Sequence, residues 1–246
     1  MKKLYFLVLT LFIALTSEAQ VVISQVYGGG GNAGAPYTND FIELFNRGTV
    51  AQDLTGWSVQ YASATGSTWT VTNLTSVTLQ PGQYYLIQQA AGATPSTALP
   101  TPDAIGTTAM SGTNGKVVLV SETTAQTGTN PTGAQIIDKV GFGTANGNET
   151  ASMPALSNTT SGLRLLGGCT DTDNNSNDFV TGAPAPRNSL SPISVCSSSP
   201  ALSISSPANA TVFSPITTNV NVVLSVSNFN VANGTGNGHI HYTING

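Results

Sequence analysis

Charged side chains are scarce in this sequence. They make up 7% of the 246 residues, against roughly 25% in an average soluble domain. Lysine and arginine together number 7 and form no cluster, so the chain lacks the basic footprint that contacts a nucleic-acid backbone. Thr, Ser, Asn, Gly and Ala fill the polar positions instead, which is typical of a secreted β-protein.

Histidine is almost absent. The two histidines are His239 and His241, and residues 20–190 contain none. This excludes Ser-His-Asp, Cys-His and histidine-based zinc chemistry from that stretch, which leaves a carboxylate pair as the remaining catalytic route. His239 and His241 lie two apart in a strand pattern and share a face. We interpret them as strand residues, with part of a Zn²⁺ or Cu²⁺ site as the alternative.

Cysteine occurs only twice, as Cys169 and Cys196. In an exported chain an even number of cysteines indicates a disulfide. Such a bond would stabilise the fold by about 3 kcal/mol, because it restricts the unfolded chain. Two free buried thiols are the alternative.

Long apolar runs are missing after the N-terminus. Residues 1–19 combine a basic start, a short apolar run and small residues at the end, which predicts a signal peptide cleaved before Gln20. The run is shorter than the roughly 20 residues of a spanning helix, which disfavours a membrane anchor. The mature protein is therefore expected to be secreted, extracellular or attached to the cell surface.

The sequence does contain clear strand patterns. Phe41, Glu43 and Phe45 would share one face of a strand, and Ile42 and Leu44 the other, because side chains alternate along a strand. A turn follows, and then a second strand pattern with a large indole. The residues predicted to form the nucleus of the core are Phe41, Ile42, Leu44 and Trp57.

About seven short strand patterns separated by turns, with no convincing amphipathic helix, predict an all-β chain with an immunoglobulin-like β-sandwich. From Ala201 further strand patterns predict a second β-sandwich that stops, incomplete, at Gly246. The predicted layout is a signal peptide at 1–19, a sandwich domain at 20–190, a Ser/Pro linker at 191–200 and a truncated immunoglobulin-like β domain at 201–246.

Three stretches together resemble a known family. Phe-Ile-Glu-Leu-Phe-Asn at 41–46, Leu-Thr-Gly-Trp at 54–57 and Leu-Gln-Pro-Gly-Gln-Tyr-Tyr at 79–85 look like the lamin-tail domain that bacteria use in secreted multidomain proteins. The resemblance covers about residues 20–190 and implies a sandwich without assigned catalytic residues. Residues 201–246 resemble the start of an immunoglobulin-like module common in such proteins.

Four consecutive glycines, Gly28–Gly31, follow the first strand pattern. A phosphate-binding loop is excluded, because no Gly-Lys-Ser/Thr ending and no helix follow. The glycines are expected to form a flexible or ligand-hugging loop at one end of the sandwich.

The sharpest motif is an acidic turn after Cys169. Asp171, Asp173 and Asn175 alternate, and Asp178 comes three residues further on. Oxygen donors with this spacing suit a hard cation, so Ca²⁺ is the candidate cofactor. The turn does not match the helix-flanked calcium loop, because the Gly at position 6 and the Glu at position 12 of that loop are missing. An Asx-rich turn whose side chains bond to neighbouring backbone is the alternative.

A few other side chains stand out. Arg164 is expected to pair with an acid of this turn as a structural clamp, with a role in ligand binding as the alternative. Glu43 is another candidate partner, also in a structural pairing. Trp69, Tyr84 and Tyr85 are candidates for an exposed aromatic platform that stacks on sugars or bases. Burial in the core is the alternative, expected for one of the two tyrosines.

These features predict a non-catalytic extracellular accessory module. It would attach to the cell surface, or hold a partner domain near a polymer such as polysaccharide or extracellular DNA. The resemblance supports this, because lamin-tail modules often accompany secreted nucleases and phosphatases. The alternatives are the N-terminal part of a metal-dependent extracellular nuclease or phosphatase, with its catalytic domain beyond residue 246, and a structural surface adhesin.

Overall fold

The computed structural model describes residues 20–196, 201–207, 211–212, 214 and 219–227. The predicted signal peptide, His239 and His241 lie outside these residues. The chain forms two compact units, Met1–Val195 and Cys196–Gly246. Nearly all of the regular structure is strand, which confirms the all-β class.

The described part of the first unit contains short strands and two single helical turns. The strands are β1 (Val21–Tyr27), β2 (Asn39–Asn46), β3 (Gln52–Asp53), β4 (Ser58–Ser63), β5 (Thr70–Asn73), β6 (Thr78–Leu79), β7 (Tyr84–Ala91), β8 (Ala104–Ile105), β9 (Gly115–Val120), β10 (Ile136–Phe142), β11 (Ser161–Arg164) and β12 (Phe179–Gly182). The helical turns are a 3₁₀ turn at Leu165–Gly168 and α1 at Asn175–Asp178.

The strands form two main sheets. The six-stranded sheet has the order β12-β11-β1-β2-β7-β8, and the four-stranded sheet has the order β10-β9-β4-β5. Neighbouring strands are antiparallel except for β7 and β8. Ile42 and Leu44 of the first sheet pack in one core with Val59 and Leu119 of the second. This arrangement confirms the immunoglobulin-like sandwich.

The alternation predicted for β2 is confirmed. Phe41, Ile42 and Leu44 are fully buried. Ile42 and Leu44 face the core between the sheets, whereas Phe41 packs with Tyr27 and Leu86 in a separate cluster. Both faces of β2 are therefore covered, and the six-stranded sheet leaves little of its middle open to solvent.

The two indoles differ in burial, and Trp57 lies less deeply in the core than expected. Trp57 is only partly buried and packs against the edge of the core. It lies in the turn before β4, where its backbone N–H donates to the carbonyl of Leu54 at 3.0 Å. Trp69 is the buried indole, 3% exposed, and its Nε1 donates to the carbonyl of Gly128 at 2.9 Å. Trp57 thus contributes to the rim of the core more than to its centre.

The outer face of the four-stranded sheet is covered by the loop between β9 and β10, residues 121–135, which we call the outer loop. Gln60 of β4 donates to the carbonyl of Thr124 at 2.8 Å and accepts from the amide of Gln126 at 2.8 Å. Trp69 is held under the same loop. This cover explains why every residue of β9 is buried, as its unbroken apolar run predicts.

The outer face of the six-stranded sheet is crossed by residues 183–195, which we call the C-terminal strap. Its hydrogen-bond partners lie in β1, in β2, just before β8 and just before β7. They are Ala185 with Gln25, Arg187 with Glu43, Ser189 with Asp103 and Ser194 with Gly82. Because Ser194 is anchored, the sandwich holds the chain beyond the start of the predicted linker at 191–200.

The four glycines after β1 are buried and tightly packed. A Cβ at Gly30 would collide with the backbone of Asn39, and a Cβ at Gly28 with the carbonyl of Ser111. The amide of Gly30 also donates to the carboxylate of Asp40 at 2.8 Å. The glycines therefore allow backbones to approach closely, which corrects the expectation of a flexible, ligand-hugging loop.

The second unit contributes one described hairpin. β13 (Ala201–Ser206) pairs with β14 (Val223–Ser227) in an antiparallel ladder, at two of the predicted strand patterns. The remaining patterns of the predicted second sandwich fall wholly or largely outside the described residues. Within the described part of the chain, no helix has the length and apolar character needed to cross a membrane.

Both cysteines are disulfide-bonded, and neither is free. Since the chain has no other cysteine, the bond joins Cys169 to Cys196, as predicted. It closes a loop that contains the acidic turn, β12 and the C-terminal strap.

Candidate functional site

A buried group of ionisable side chains lies where β11 ends. We call Arg164, Asp138, Glu149, Asp171 and Asp178 the arginine cluster. Arg164 is 2% exposed and Asp178 is fully buried. β10 supplies Asp138, the loop after β10 supplies Glu149, and the acidic turn supplies the two other carboxylates.

The guanidinium of Arg164 binds three segments at once. Its Nε donates to the carbonyl of Ile23 at 2.9 Å. One terminal nitrogen lies 2.7 Å from Asp138, and the other lies 2.9 Å from Asp171. The ring of Phe179 stacks beneath it at 4.6 Å. The expected clamp between Arg164 and the acidic turn is confirmed, whereas the second acid, Asp138, was not expected.

Asp138 joins the two sheets. Its carboxylate accepts from the amide of Ile23 in β1 at 2.5 Å and from the amide of Lys139 at 2.8 Å. The register of β10 shifts between Ile136 and Asp138, and such an irregularity re-aims a side chain. The sequence carries no sign of this shift, so alternation alone could not place Asp138 beside Arg164.

The acidic turn is closed by its own side chains. Asp178 accepts from the amide and the hydroxyl of Thr172, at 2.9 and 2.7 Å. Asn174 caps α1 by accepting from the amide of Ser176 at 3.2 Å. Asp173 has a left-handed backbone, with φ of 54°, and is exposed. These bonds are those of an Asx-rich turn.

Asn175 is fully occupied by structural bonds. Its amide nitrogen donates to the carbonyl of Lys139 at 2.9 Å and to the carboxyl of Glu149 at 3.0 Å. Its amide oxygen accepts from the backbone of Gly141 at 2.9 Å and of Glu149 at 3.2 Å. Asn175 therefore fastens the acidic turn to the edge of β10, and its oxygen is already engaged.

The group of carboxylates that could hold a cation differs from the predicted one. One oxygen each of Asp138, Glu149 and Asp171 lies within 4.8 Å of the others, and such oxygens suit Ca²⁺. Arg164 already places a positive charge beside two of them. Of the predicted set Asp171, Asp173, Asn175 and Asp178, only Asp171 belongs to this group. Calcium binding by the predicted set stays a prediction.

Burial and mutual repulsion shape the charges of the arginine cluster. Burial, together with the charge of Asp138, raises the pKa of Glu149 to about 9. Burial and Asp138 also raise the pKa of Asp171 to about 6, although Arg164 opposes the rise. Burial disfavours the charged form of Arg164, but Asp138 and then Asp171 outweigh it and raise the pKa of the guanidinium. Glu149 is thus protonated at neutral pH.

Glu43 lies in a second buried ion pair, with Arg187. Its carboxylate accepts from Arg187 Nη2 at 2.7 Å and from the Arg187 amide at 2.7 Å. The guanidinium of Arg187 also lies 3.7 Å above the ring of Tyr84. Glu43 was expected as another partner of Arg164, and this is wrong, because its ion pair is with Arg187. The arginines of the chain are Arg47, Arg164 and Arg187. Because they are so few, Arg187 could have been considered as a partner of Glu43 from the sequence.

The structure buries all three side chains of the candidate aromatic platform, in agreement with the alternative of burial in the core. Trp69, Tyr84 and Tyr85 are 3%, 2% and 1% exposed. The outer loop covers Trp69, the C-terminal strap covers Tyr84, and Tyr85 lies in the main core. Between residues 20 and 196, the partly exposed aromatic side chains are Tyr37 and Trp57. Within this part of the chain, stacking on a ligand would have to use one of these two rings.

The polar interior of the described residues is saturated: every buried side-chain nitrogen and oxygen among them has a hydrogen-bond partner. Polar and ionisable groups that are paired in this way stabilise a fold. The fold and the site together define an immunoglobulin-like β-sandwich domain.

The chain belongs to the lamin tail domain family, because the family described as Lamin Tail Domain matches residues 15–153, more than half of its length. This is a family of non-catalytic immunoglobulin-like domains. The match includes Asp138 and Glu149 but ends before Arg164 and Asp171. No curated protein matches the chain.

Proposed function

We propose that this protein is a non-catalytic extracellular module that binds polysaccharide and holds the segment that follows it close to that polymer. The C-terminal strap carries the proposal. Because the strap is bonded to the sheet as far as Ser194, the chain leaves the sandwich at a fixed place. A module that orients its exit point in this way suits the positioning of a partner domain.

The disulfide supports an extracellular location, since such bonds persist in oxidising compartments. It closes the loop that contains the C-terminal strap. Reduction would remove this restraint, whereas an extracellular environment preserves it.

The surface favours a neutral polymer over nucleic acid. The formal net charge is -4, and lysine and arginine are few. Arg164 and Arg187 are committed to carboxylates, and Lys116 and Lys139 are buried. Binding to a phosphate backbone needs exposed cations, whereas a neutral sugar is bound by uncharged polar groups and by aromatic rings.

Trp57 is the side chain that we assign to sugar contact. It is only partly buried, and a flat indole supplies both apolar area and a polar N–H. Trp69 serves as the matched control, because it is the second tryptophan of the chain and is covered by the outer loop.

A glycan array and a DNA-binding assay with the mature chain, residues 20–246, test the proposal. We expect binding to a neutral polysaccharide that is insensitive to salt, and no response to duplex DNA. Trp57→Ala should abolish the binding, and Trp69→Phe should preserve it. Flat responses to every glycan, or salt-sensitive binding to DNA, would contradict the proposal.

An activity assay separates this function from the nuclease or phosphatase alternative. The mature chain is incubated with a chromogenic phosphodiester and a phosphomonoester in the presence of Ca²⁺, Mg²⁺, Mn²⁺ or Zn²⁺. We expect no metal-dependent release of product. Turnover that is lost in Asp138→Asn would replace the accessory role with a catalytic one.

A further inference from the structure

Lys116 is a buried cation without an anion. It is fully buried near the start of β9, and its Nζ donates to the carbonyl of Thr129 and to Oδ1 of Asn146, both at 2.6 Å. The ring of Trp69 lies 5.5 Å from the ammonium. In the described part of the chain no carboxylate forms an ion pair with Lys116. Burial accordingly lowers the pKa of its ammonium.

Asn146, the side-chain hydrogen-bond partner of Lys116, belongs to a chemically labile dipeptide, Asn146-Gly147. An asparagine before glycine can form a succinimide, because glycine has no Cβ to hinder the attack of its nitrogen on the side-chain amide. Glycine is also needed here for packing, since a Cβ at Gly147 would collide with the carbonyl of Thr129. The fold therefore retains a labile dipeptide in contact with a buried ammonium.

Part of this dipeptide is open to reaction. Asn146 is exposed to water and residues 146–150 lie outside helices and strands, whereas Gly147 is buried and the N–H of Asn146 donates to the carbonyl of Ala64 at 2.9 Å. Among the described residues the N–H of Gly147 donates no hydrogen bond. The dipeptide Asn114-Gly115 differs, because Gly115 lies in β9 between Ser63 and Phe142 of the neighbouring strands.

We propose that Asn146 is a site of spontaneous deamidation in the folded protein, and that the aspartate formed there becomes the counter-ion of Lys116. The nitrogen of Gly147 bonds to Cγ of Asn146, and the Cγ–Nδ2 bond breaks. Ammonia leaves with the proton of the Gly147 amide. Water then cleaves the new Cγ–N bond, which restores the peptide and leaves a carboxylate. The two steps consume one water and involve no redox change.

Lys116 promotes the first step by holding Oδ1, the atom on which negative charge develops during the attack. A fixed ammonium at that place stabilises the tetrahedral intermediate. It also favours the product, because aspartate has the shape of asparagine and places a negative charge against a buried positive one. A direct amide bond between Lys116 and Asn146 is disfavoured, since no carboxylate of the described residues forms an ion pair with Lys116 from which it could assist the reaction.

Peptide mass mapping of the mature protein, incubated in mildly alkaline buffer, tests the proposal. We expect Asn146 to convert to aspartate several-fold faster than Asn114 in the folded protein, and at the same rate in denaturant. Lys116→Met should slow the conversion of Asn146 without changing that of Asn114. Equal conversion rates of Asn146 and Asn114 in the folded protein would overturn the proposal. So would isoaspartate as the main product at position 146, or a cross-linked peptide whose mass is lower by one ammonia.

A second measurement does not depend on the folding of the lysine variant. Asn146→Asp should raise the melting temperature of the chain that retains Lys116, because it supplies the missing counter-ion. Asn114→Asp is the matched control and should not raise it. An unchanged or lower melting temperature for Asn146→Asp would refute the role of an aspartate at position 146 as the counter-ion of Lys116.

Discussion

Arg164 connects parts of the chain that are far apart in sequence. It bonds to Ile23 of β1, Asp138 of β10 and Asp171 of the acidic turn. These three residues come from both sheets and from a loop outside them. A single buried guanidinium thereby fixes the end of the sandwich at which the disulfide loop begins.

Replacement of this arginine by an apolar residue of similar length tests its role. Arg164→Met leaves Asp138 and Asp178 buried without their cation, so we expect a loss of about 3–5 kcal/mol in the free energy of unfolding. Urea titration measures it. Arg164→Lys retains the charge but not the planar fork, and should recover only part of the loss. A methionine variant as stable as wild type would show that the clamp is dispensable.

The acids with raised pKa values give stability an unusual dependence on pH. In the folded state the pKa of Asp40 rises from 3.8 to about 6 and that of Glu149 from 4.5 to about 9, in both cases chiefly through burial. Between the unfolded and folded values the folded state binds more protons. The free energy of unfolding should therefore rise as the pH falls from about 9 towards 5.

Denaturant midpoints at several pH values measure this trend. Glu149→Gln mimics the protonated acid and should flatten the dependence, with its largest gain over wild type at alkaline pH. The lowered pKa values of Lys116 and Lys139 act in the opposite direction, but only in the alkaline range. A wild-type chain whose stability falls steadily from pH 9 to pH 5 would contradict this account.

At the scale of residues the sequence predicted one partner of Arg164 and missed another. Arg164 was expected to meet the acidic turn, since cations are few and the turn is rich in acids. Asp138 could not be foreseen, because a register shift in β10 re-aims it. Trp57 was expected in the core and lies at its rim, whereas the burial of Trp69 was left open, because burial depends on loops whose course no hydrophobic periodicity predicts.

At the scale of elements, the glycines after β1 act as spacers between backbones. Gly30→Ala would force Cβ into the backbone of Asn39, so we expect a loss of about 1–3 kcal/mol. Gly34 is the matched control: its φ is 78° but its Cβ would meet open space, so Gly34→Ala should cost only about 1 kcal/mol. Thermal denaturation measures both. Equal losses would show that conformation, not contact, makes glycine necessary.

The longer strands were predictable to within a few residues, whereas β3, β8 and β12 were not predicted. β2 and β9 carry strong signals, one by alternation and the other by an unbroken apolar run, and both lie where expected. The outer loop and the C-terminal strap left no comparable signal. Their residues read as ordinary loop and linker, because irregular segments that bond through backbone and amide groups need no hydrophobic period.

At the scale of the whole molecule, each sheet has a cover on its outer face. The C-terminal strap depends on the ion pair between Arg187 and Glu43, whose carboxylate is fully buried. Arg187→Met should lower the free energy of unfolding by about 3–5 kcal/mol, because the carboxylate is left alone. The double variant with Glu43→Gln should recover much of this loss, and equilibrium denaturation of both checks it. Additive losses would contradict the coupling.

The disulfide determines how the protein would respond to a pull. Tension on the chain beyond Val195 enters at Cys196 and passes through the covalent bond to Cys169. The hydrogen bonds of the C-terminal strap, at Ser194 and Ser189 among others, lie inside the closed loop and would carry no load while that bond is intact. After reduction the same tension would peel the strap from the sheet one hydrogen bond at a time, so the oxidation state of two sulfur atoms would set the mechanical strength of this end of the sandwich.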